Sequence, residues 1–158
     1  MCSSDLAATP SGDIWYASLA GDHIAKIDTT TGAVTVVEPP KPGVGPRRIW
    51  SDSKGMLWVS FWHGGAIGRY DPVTKAWATY PMPQSKWGTY SIYVDDKDRV
   101  WATDWPANAV QRFDPTTGTY FLLRIFPHGY AGKPGELFWC GARLRGGWSY
   151  RQYYYEVT

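Results

Sequence analysis

Tryptophan recurs at a fixed step in this chain: Trp15, Trp58 and Trp101 are 43 residues apart. Asp28, Asp71 and Asp114 keep the same step, as do Ile24, Ile67 and Val110, and Lys26, Arg69 and Arg112. A period of roughly 40–50 residues carrying several short β runs is the mark of a β-propeller blade. One such unit cannot bury both faces of its own sheet. The repeat therefore predicts a ring in which each blade leans on the next.

The middle unit is the clearest. Arg47–Asp52, Leu57–Trp62, Ala66–Asp71 and Trp77–Tyr80 read as four strands, separated by Ser53-Lys54-Gly55, His63-Gly64-Gly65 and Asp71-Pro72-Val73-Thr74 turns. Pro81 and Pro83 suit an outer edge. The next unit repeats this with Thr89–Val94, Val100–Asp104, Asn108–Phe113 and Tyr120–Ile125. Upstream, Ile14–Ser18, His23–Asp28 and Ala33–Val37 predict a blade that lacks its first strand. Helical periodicity is absent. The expected fold is all-β: a partial, open propeller of three to four four-stranded antiparallel blades, at 7–40, 44–83, 87–126 and a start at 127–138. A closed ring needs about 4–8 blades. The terminal blades should thus expose apolar faces, and the isolated chain is expected to self-associate.

Both ends break the pattern. Residues 1–6 read as a translated adapter and are expected to be a non-native leader. Residues 139–158 lack the blade grammar and are expected to be non-native or frame-shifted. That tail holds Arg143, Arg145, Arg151 and Glu156, and so carries the whole formal charge of +2. The body nets to zero and has no basic stripe, which argues against a nucleic-acid partner. No run of about 18 apolar residues marks a membrane span. Both cysteines, Cys2 and Cys140, lie in the two ends, so the repeat holds no disulfide framework and no zinc spacing. No leader segment points to a compartment, and cytoplasmic and periplasmic locations both stay open.

The blade grammar is Pro-x-x-Ile, Gly-x-Leu-Trp, Ile-Gly-Arg, then an aromatic and Pro-x-Pro, as in GPRRIWSDSKGMLWVSFWHGGAIGRYDPVTKAWATYPMP. It resembles the streptogramin B lyase (virginiamycin B lyase) family from about Ser11 to Phe138. The resemblance implies a parent ring of about seven blades, monomeric when full length. It also implies cleavage of a cyclic ester or depsipeptide at a C–O bond by elimination, an antibiotic-resistance activity. A His base would take the α-proton, and a divalent metal, usually Mg²⁺, would stabilise the enolate. The family places its functional side chain just after the first-strand proline. Here those positions are Arg47, Tyr90 and His128, and Pro127-His128-Gly129 matches the family's base motif. Phe126 stands where the family has Glu, and the metal ligands are not assigned. Of the positions three residues after each strand tryptophan, only Asp104 is acidic.

His128 is the candidate catalytic base, and Arg47, Tyr90, Asp104, Trp62 and Trp105 are candidate substrate-binding residues. Simpler roles compete with each. The Trp and Tyr stripes fit an inter-blade core. Trp62 and Trp105 fit either that core or the channel rim. Asp28, Asp71 and Asp114 fit turns. His23 and His63, off the repeat, fit exposed loops. His128 itself fits a turn. Whichever of Arg47 and Arg48 faces the channel would bind a carbonyl or carboxylate, or neutralise Asp104. Two other readings remain: a non-catalytic propeller binding a small molecule or protein, and a lactonase-type propeller, whose Asp/Glu/Asn metal cluster is not assembled here.

Overall fold

The computed structural model describes residues 4–124, 143–144 and 147–148. These residues are all strand, turn and loop. Three four-stranded antiparallel sheets follow one another along the chain. The first blade holds β1 (Ser4–Ala8), β2 (Ile14–Ser18), β3 (His23–Ile27) and β4 (Val34–Val37). The second holds β5 (Pro46–Ser51), β6 (Leu57–Phe61), β7 (Ala66–Tyr70) and β8 (Trp77–Pro81). The third holds β9 (Thr89–Val94), β10 (Val100–Asp104), β11 (Ala109–Asp114) and β12 (Thr119–Arg124). Further along, β13 (Arg143–Leu144) pairs antiparallel with β14 (Gly147–Trp148).

The first blade corrects one expectation. Its first strand is present: β1 pairs with β2 in unbroken register, Leu6 opposite Tyr16. Asp5 forms an ion pair with Arg48 of the second blade at 3.2 Å. Leu6 occupies the repeat position of Ile49 and Ile92. The strand alternation in residues 4–8 is too short to be recognised without its partner.

The first strands β1, β5 and β9 pack side by side, so the sheets fan from one line. Because successive strand residues point to opposite faces, each blade has a forward face carrying the repeat tryptophan and a rear face. The rear face of the second blade, with Leu57, Val59, Phe61 and Tyr70, packs on Trp15, Ala17 and Ile24 of the first. Its forward face, with Trp58, Ile67 and Met82, packs on Ile92, Val94, Val100, Ala102 and Phe113 of the third. Burial records this layering. All five residues of β6 are buried, whereas β2 and β10 alternate, with opposite phase.

The aspartates at the 43-residue step do form turns. Asp28 accepts the amides of Thr30 and Thr31, Asp71 those of Val73 and Thr74, and Asp114 that of Thr116. A second aspartate series does more. Asp52 accepts two backbone amides and the Trp58 indole Nε1–H at 2.9 Å. Asp95 repeats this for Trp101 at 2.8 Å. In the first blade the same position is Thr9, and the buried Trp15 Nε1 has no partner among the described residues.

Candidate functional site

Arg47 and Tyr90 reach the end of the first strands through a break in the sheet register. Between β5 and β6, Pro46 faces Phe61 but Arg48 faces Ser60, so an extra residue enters β5. The same shift recurs in β9, where Thr89 faces Asp104 and Ile92 faces Ala102. Such a bulge re-aims a side chain and unpairs a backbone amide. A hydroxyl takes each freed amide: Arg48 N–H donates to Ser60 Oγ at 3.0 Å, and Ser91 N–H to Thr103 Oγ1 at 2.9 Å. Ser60 in turn donates to the Tyr90 carbonyl at 3.0 Å, joining the second blade to the third beside the site. Ala17 holds this position in the first blade, where the register is unbroken.

Four of the candidates meet. The Arg47 guanidinium carbon lies 3.9 Å from the Tyr90 ring centroid and 5.2 Å from that of Trp62. Trp62 stands nearly perpendicular to Tyr90 and Trp105, at centroid distances of 5.8 and 5.9 Å. Tyr90 and Trp105 lie 5.7 Å apart. Trp87, which the repeat did not flag, joins them 5.6 Å from Trp62. Trp87 and Trp105 keep 48% and 42% of their surface exposed. Backbone bonds hold this layer: Trp105 N–H donates to the Gly88 carbonyl at 3.0 Å, and Gly88 N–H to that of Trp62 at 2.6 Å. Gly88 has φ of 86°, and a Cβ there would lie 2.6 Å from Pro106 Cδ. Only glycine fits both demands.

The charge here is positive: Arg48 pairs with Asp5, and among the described residues Arg47 has no ion-pair partner. The Arg47 guanidinium beside Tyr90, with Arg48 behind it, holds the phenol below its ordinary range. Among the described residues Arg47 Nε is buried without an acceptor, and the guanidinium lies over the rings of Tyr90 and Trp62. The arrangement can present flat apolar surface and one guanidinium to a ligand with a planar group and a carbonyl or carboxylate.

Asp104 is placed apart. It is 1% exposed, on the rear face of the third blade, where it accepts Gln111 Nε2–H at 2.7 Å. Among the described residues no cation pairs with it, and Arg47 does not neutralise it. The equivalent positions in the second blade are Phe61 and Gly68, where the ring fills the space a Gly68 Cβ would need, 2.4 Å away. His128 lies outside the described residues. His63 is an exposed turn residue, whereas His23 is half-buried at the start of β3, with Nε2 3.3 Å from the Tyr16 hydroxyl. Among the described residues no three His, Cys, Asp or Glu side chains gather to hold a metal. The described part of the site therefore does not fit Mg²⁺.

The sequence profile of the Virginiamycin B lyase family matches residues 1–144, most of the chain. The chain belongs to the virginiamycin B lyase family. Among solved structures it is similar to selenomethionine-substituted virginiamycin B lyase from Staphylococcus aureus. The identity is 25% and the TM-score 0.71, over 78% of this chain and 41% of that one. A catalytically inactive His-to-Ala variant of virginiamycin B lyase from Staphylococcus aureus, with quinupristin, is similar at 26% identity and TM-score 0.70, over 78% and 41% of the two chains. The RRP9 WD40 repeats share the fold, at 16% identity and TM-score 0.63, over 76% and 38%. No sequence among the curated proteins matches. The chain thus spans about 41% of the length of the virginiamycin B lyases it resembles.

Proposed function

We propose that this chain supplies a substrate-binding arc of a virginiamycin B lyase-like propeller that opens a cyclic ester or depsipeptide by elimination. The observation that carries the reading is the surface of Arg47, Trp62, Trp87, Tyr90 and Trp105 at one end of the first strands, in a chain that belongs to this family. The aromatic faces would hold planar groups of the substrate ring. Arg47 would meet the ester, where the cleaved bond leaves a carboxylate. In such an elimination a base takes a proton α to a carbonyl, the electron pair forms the new C=C bond, and the Cβ–O bond breaks. His128 is the proposed base, since imidazole titrates near neutrality. A guanidinium already placed at the departing carboxylate lowers the barrier by stabilising the charge that develops there. A divalent cation, where bound, would stabilise the enolate; its ligands would have to come from outside the described residues.

The test is a complete propeller containing these blades, incubated with a streptogramin B and Mg²⁺. A ring-opened product bearing a dehydrated residue supports the reading. His128→Ala should then abolish turnover while leaving binding in place. A second reading is favoured by the absence of any acid or imidazole in the described cluster and by the fold likeness to WD40 repeats: a propeller that binds without turning over. Binding of the same compound with no elimination product decides for it.

A further inference from the structure

We infer that Asp22 of the first blade is a positioning residue for Arg47: its carboxylate holds the connector from β4 to β5 and so fixes where the guanidinium stands. The inference rests on the reading of Arg47 as the residue that meets the substrate. Asp22 lies in the turn between β2 and β3, half-buried, in the left-handed region with φ of 54°. Its two oxygens accept the backbone amides of Gly43 and Gly45, the latter at 2.7 Å. A charged acceptor makes such bonds stronger than those between neutral groups. Gly45 is then gripped on both sides. Its carbonyl accepts Trp62 N–H at 2.9 Å, and the carbonyl of Val44 accepts the amides of His63 and Gly64 at 3.0 Å each. The space around it is full: a Cβ on Gly45, at φ of 65°, would lie 2.6 Å from His63 Nδ1 and 2.9 Å from Leu19 Cδ1. Pro46, with its ring-fixed φ, is the one residue between this clamp and Arg47.

The next seam shows what the carboxylate adds. Asp22, Gly65 and Asn108 keep the 43-residue step, and all three have positive φ, of 54°, 53° and 49°. At Gly65 the connector from β8 to β9 lies directly on the turn. A Cβ there would be 2.1 Å from the Lys86 carbonyl carbon and 2.4 Å from Trp87 N, and Met82 N–H donates to the Gly65 carbonyl at 2.9 Å. Backbone against backbone sets that connector, and Trp87 on it lies 5.6 Å from Trp62. At Asp22 a side chain stands between turn and connector, so the carboxylate sets the height of the connector over the strand ends. The strands repeat from blade to blade while this turn residue changes. One version delivers an indole to the cluster, and the other delivers the cation.

The Tyr90 midpoint reports where Arg47 stands, because the guanidinium beside the ring lowers it. Tyrosinate absorbance of the 158-residue chain reads it, each variant against its own Tyr90→Phe counterpart. Asp22→Gly removes both acceptors and leaves a residue at ease with positive φ. The Tyr90 midpoint should then rise by most of the shift that Arg47→Ala produces. Asp22→Asn keeps one acceptor oxygen in a residue that tolerates this backbone, and should give an intermediate rise. Asp28→Ala frees the amides of Thr30 and Thr31 at the other end of β3, and should lower stability while leaving the midpoint unmoved. A destabilised Asp22→Gly chain with an unmoved Tyr90 midpoint overturns the proposal, and so does an equal rise in Asp28→Ala. Should Asp22→Gly not fold, Asp22→Asn decides: a rise supports the proposal and an unmoved midpoint overturns it. A complete propeller of these blades that does not bind a streptogramin B overturns the substrate role of Arg47, and the Tyr90 midpoint still decides whether Asp22 positions it.

Discussion

Arg47 and Tyr90 occupy the same position in successive blades, and the guanidinium of one lies 3.9 Å from the ring centroid of the other. The repeat brings them together because both strands bulge at this residue and both bulges are held by a hydroxyl. Tyr90 ionises below the ordinary tyrosine value of about 10 because Arg47 favours the phenolate. Arg47→Ala should raise the Tyr90 midpoint, read by tyrosinate absorbance against a Tyr90→Phe control. A lowered acid pKa adds stability only above the ordinary value, and that gain is lost as pH falls through the folded value. At neutral pH the substitution should therefore cost only the cation–ring contact, about 0.5–1 kcal/mol. An unmoved Tyr90 midpoint would contradict the coupling.

Asp95 gives the opposite end of the pH scale. Burial alone would push its carboxyl up, but bonds from Arg99, Trp101 and two backbone amides outweigh this and hold it far below the ordinary range. The stability it carries is complete above the ordinary carboxylate value of about 3.9 and is lost as pH falls below it. The stability difference between the parent chain and Asp95→Asn should shrink as pH drops from about 5 to 2. Denaturant titrations at several pH values measure it, and a pH-independent difference would refute the assignment.

The indole bonds predict an asymmetry between blades. Asp52→Ala removes the oxygen that accepts two backbone amides and strands the buried Trp58 Nε1–H, and should cost about 2–3 kcal/mol. Thr9→Asp should do the reverse, giving Trp15 the partner it lacks and adding about 1 kcal/mol. Asp13 is close by, but Lys26 already pairs with it at 2.7 Å. Equilibrium unfolding followed by tryptophan fluorescence reads both changes.

Much of this was legible in the repeat, because a strand's buried face and a turn's aspartate both keep a 43-residue step. The three sheets and the turn aspartates follow from it, and the family resemblance singled out Arg47 and Tyr90 at equivalent positions of successive blades. The parts that escaped have physical causes. β1 was hidden because its first residues resemble no strand until Asp5 meets Arg48 and Leu6 lines up with Ile49. Asp104 read as a pocket acid because its partner is Gln111, two strand positions away on β11, where the preceding blade has Gly68. Only comparing both positions together shows an amide and a carboxylate exchanged for a benzyl group. Trp87 sits in a loop outside the strand pattern and carries no periodic signal. Asp52 and Asp95 did carry one, with tryptophan six residues on in both blades, and that spacing was the missed clue.

Ser60 links the fold to the site. Its hydroxyl accepts the amide freed by the Arg47 bulge and donates to the Tyr90 carbonyl, in a fully buried position. Ser60→Ala leaves one buried donor and one buried acceptor unpaired, and should cost about 2 kcal/mol. It should also loosen the ring beneath Arg47, so the Tyr90 midpoint should rise toward the ordinary value while the Asp95-dependent acid transition stays put. Ser60→Thr restores the hydroxyl that Thr103 supplies one blade later, and should recover most of both effects. If Ser60→Ala destabilises the chain but leaves the Tyr90 midpoint unmoved, the bulge is a packing device alone and does not aim Arg47.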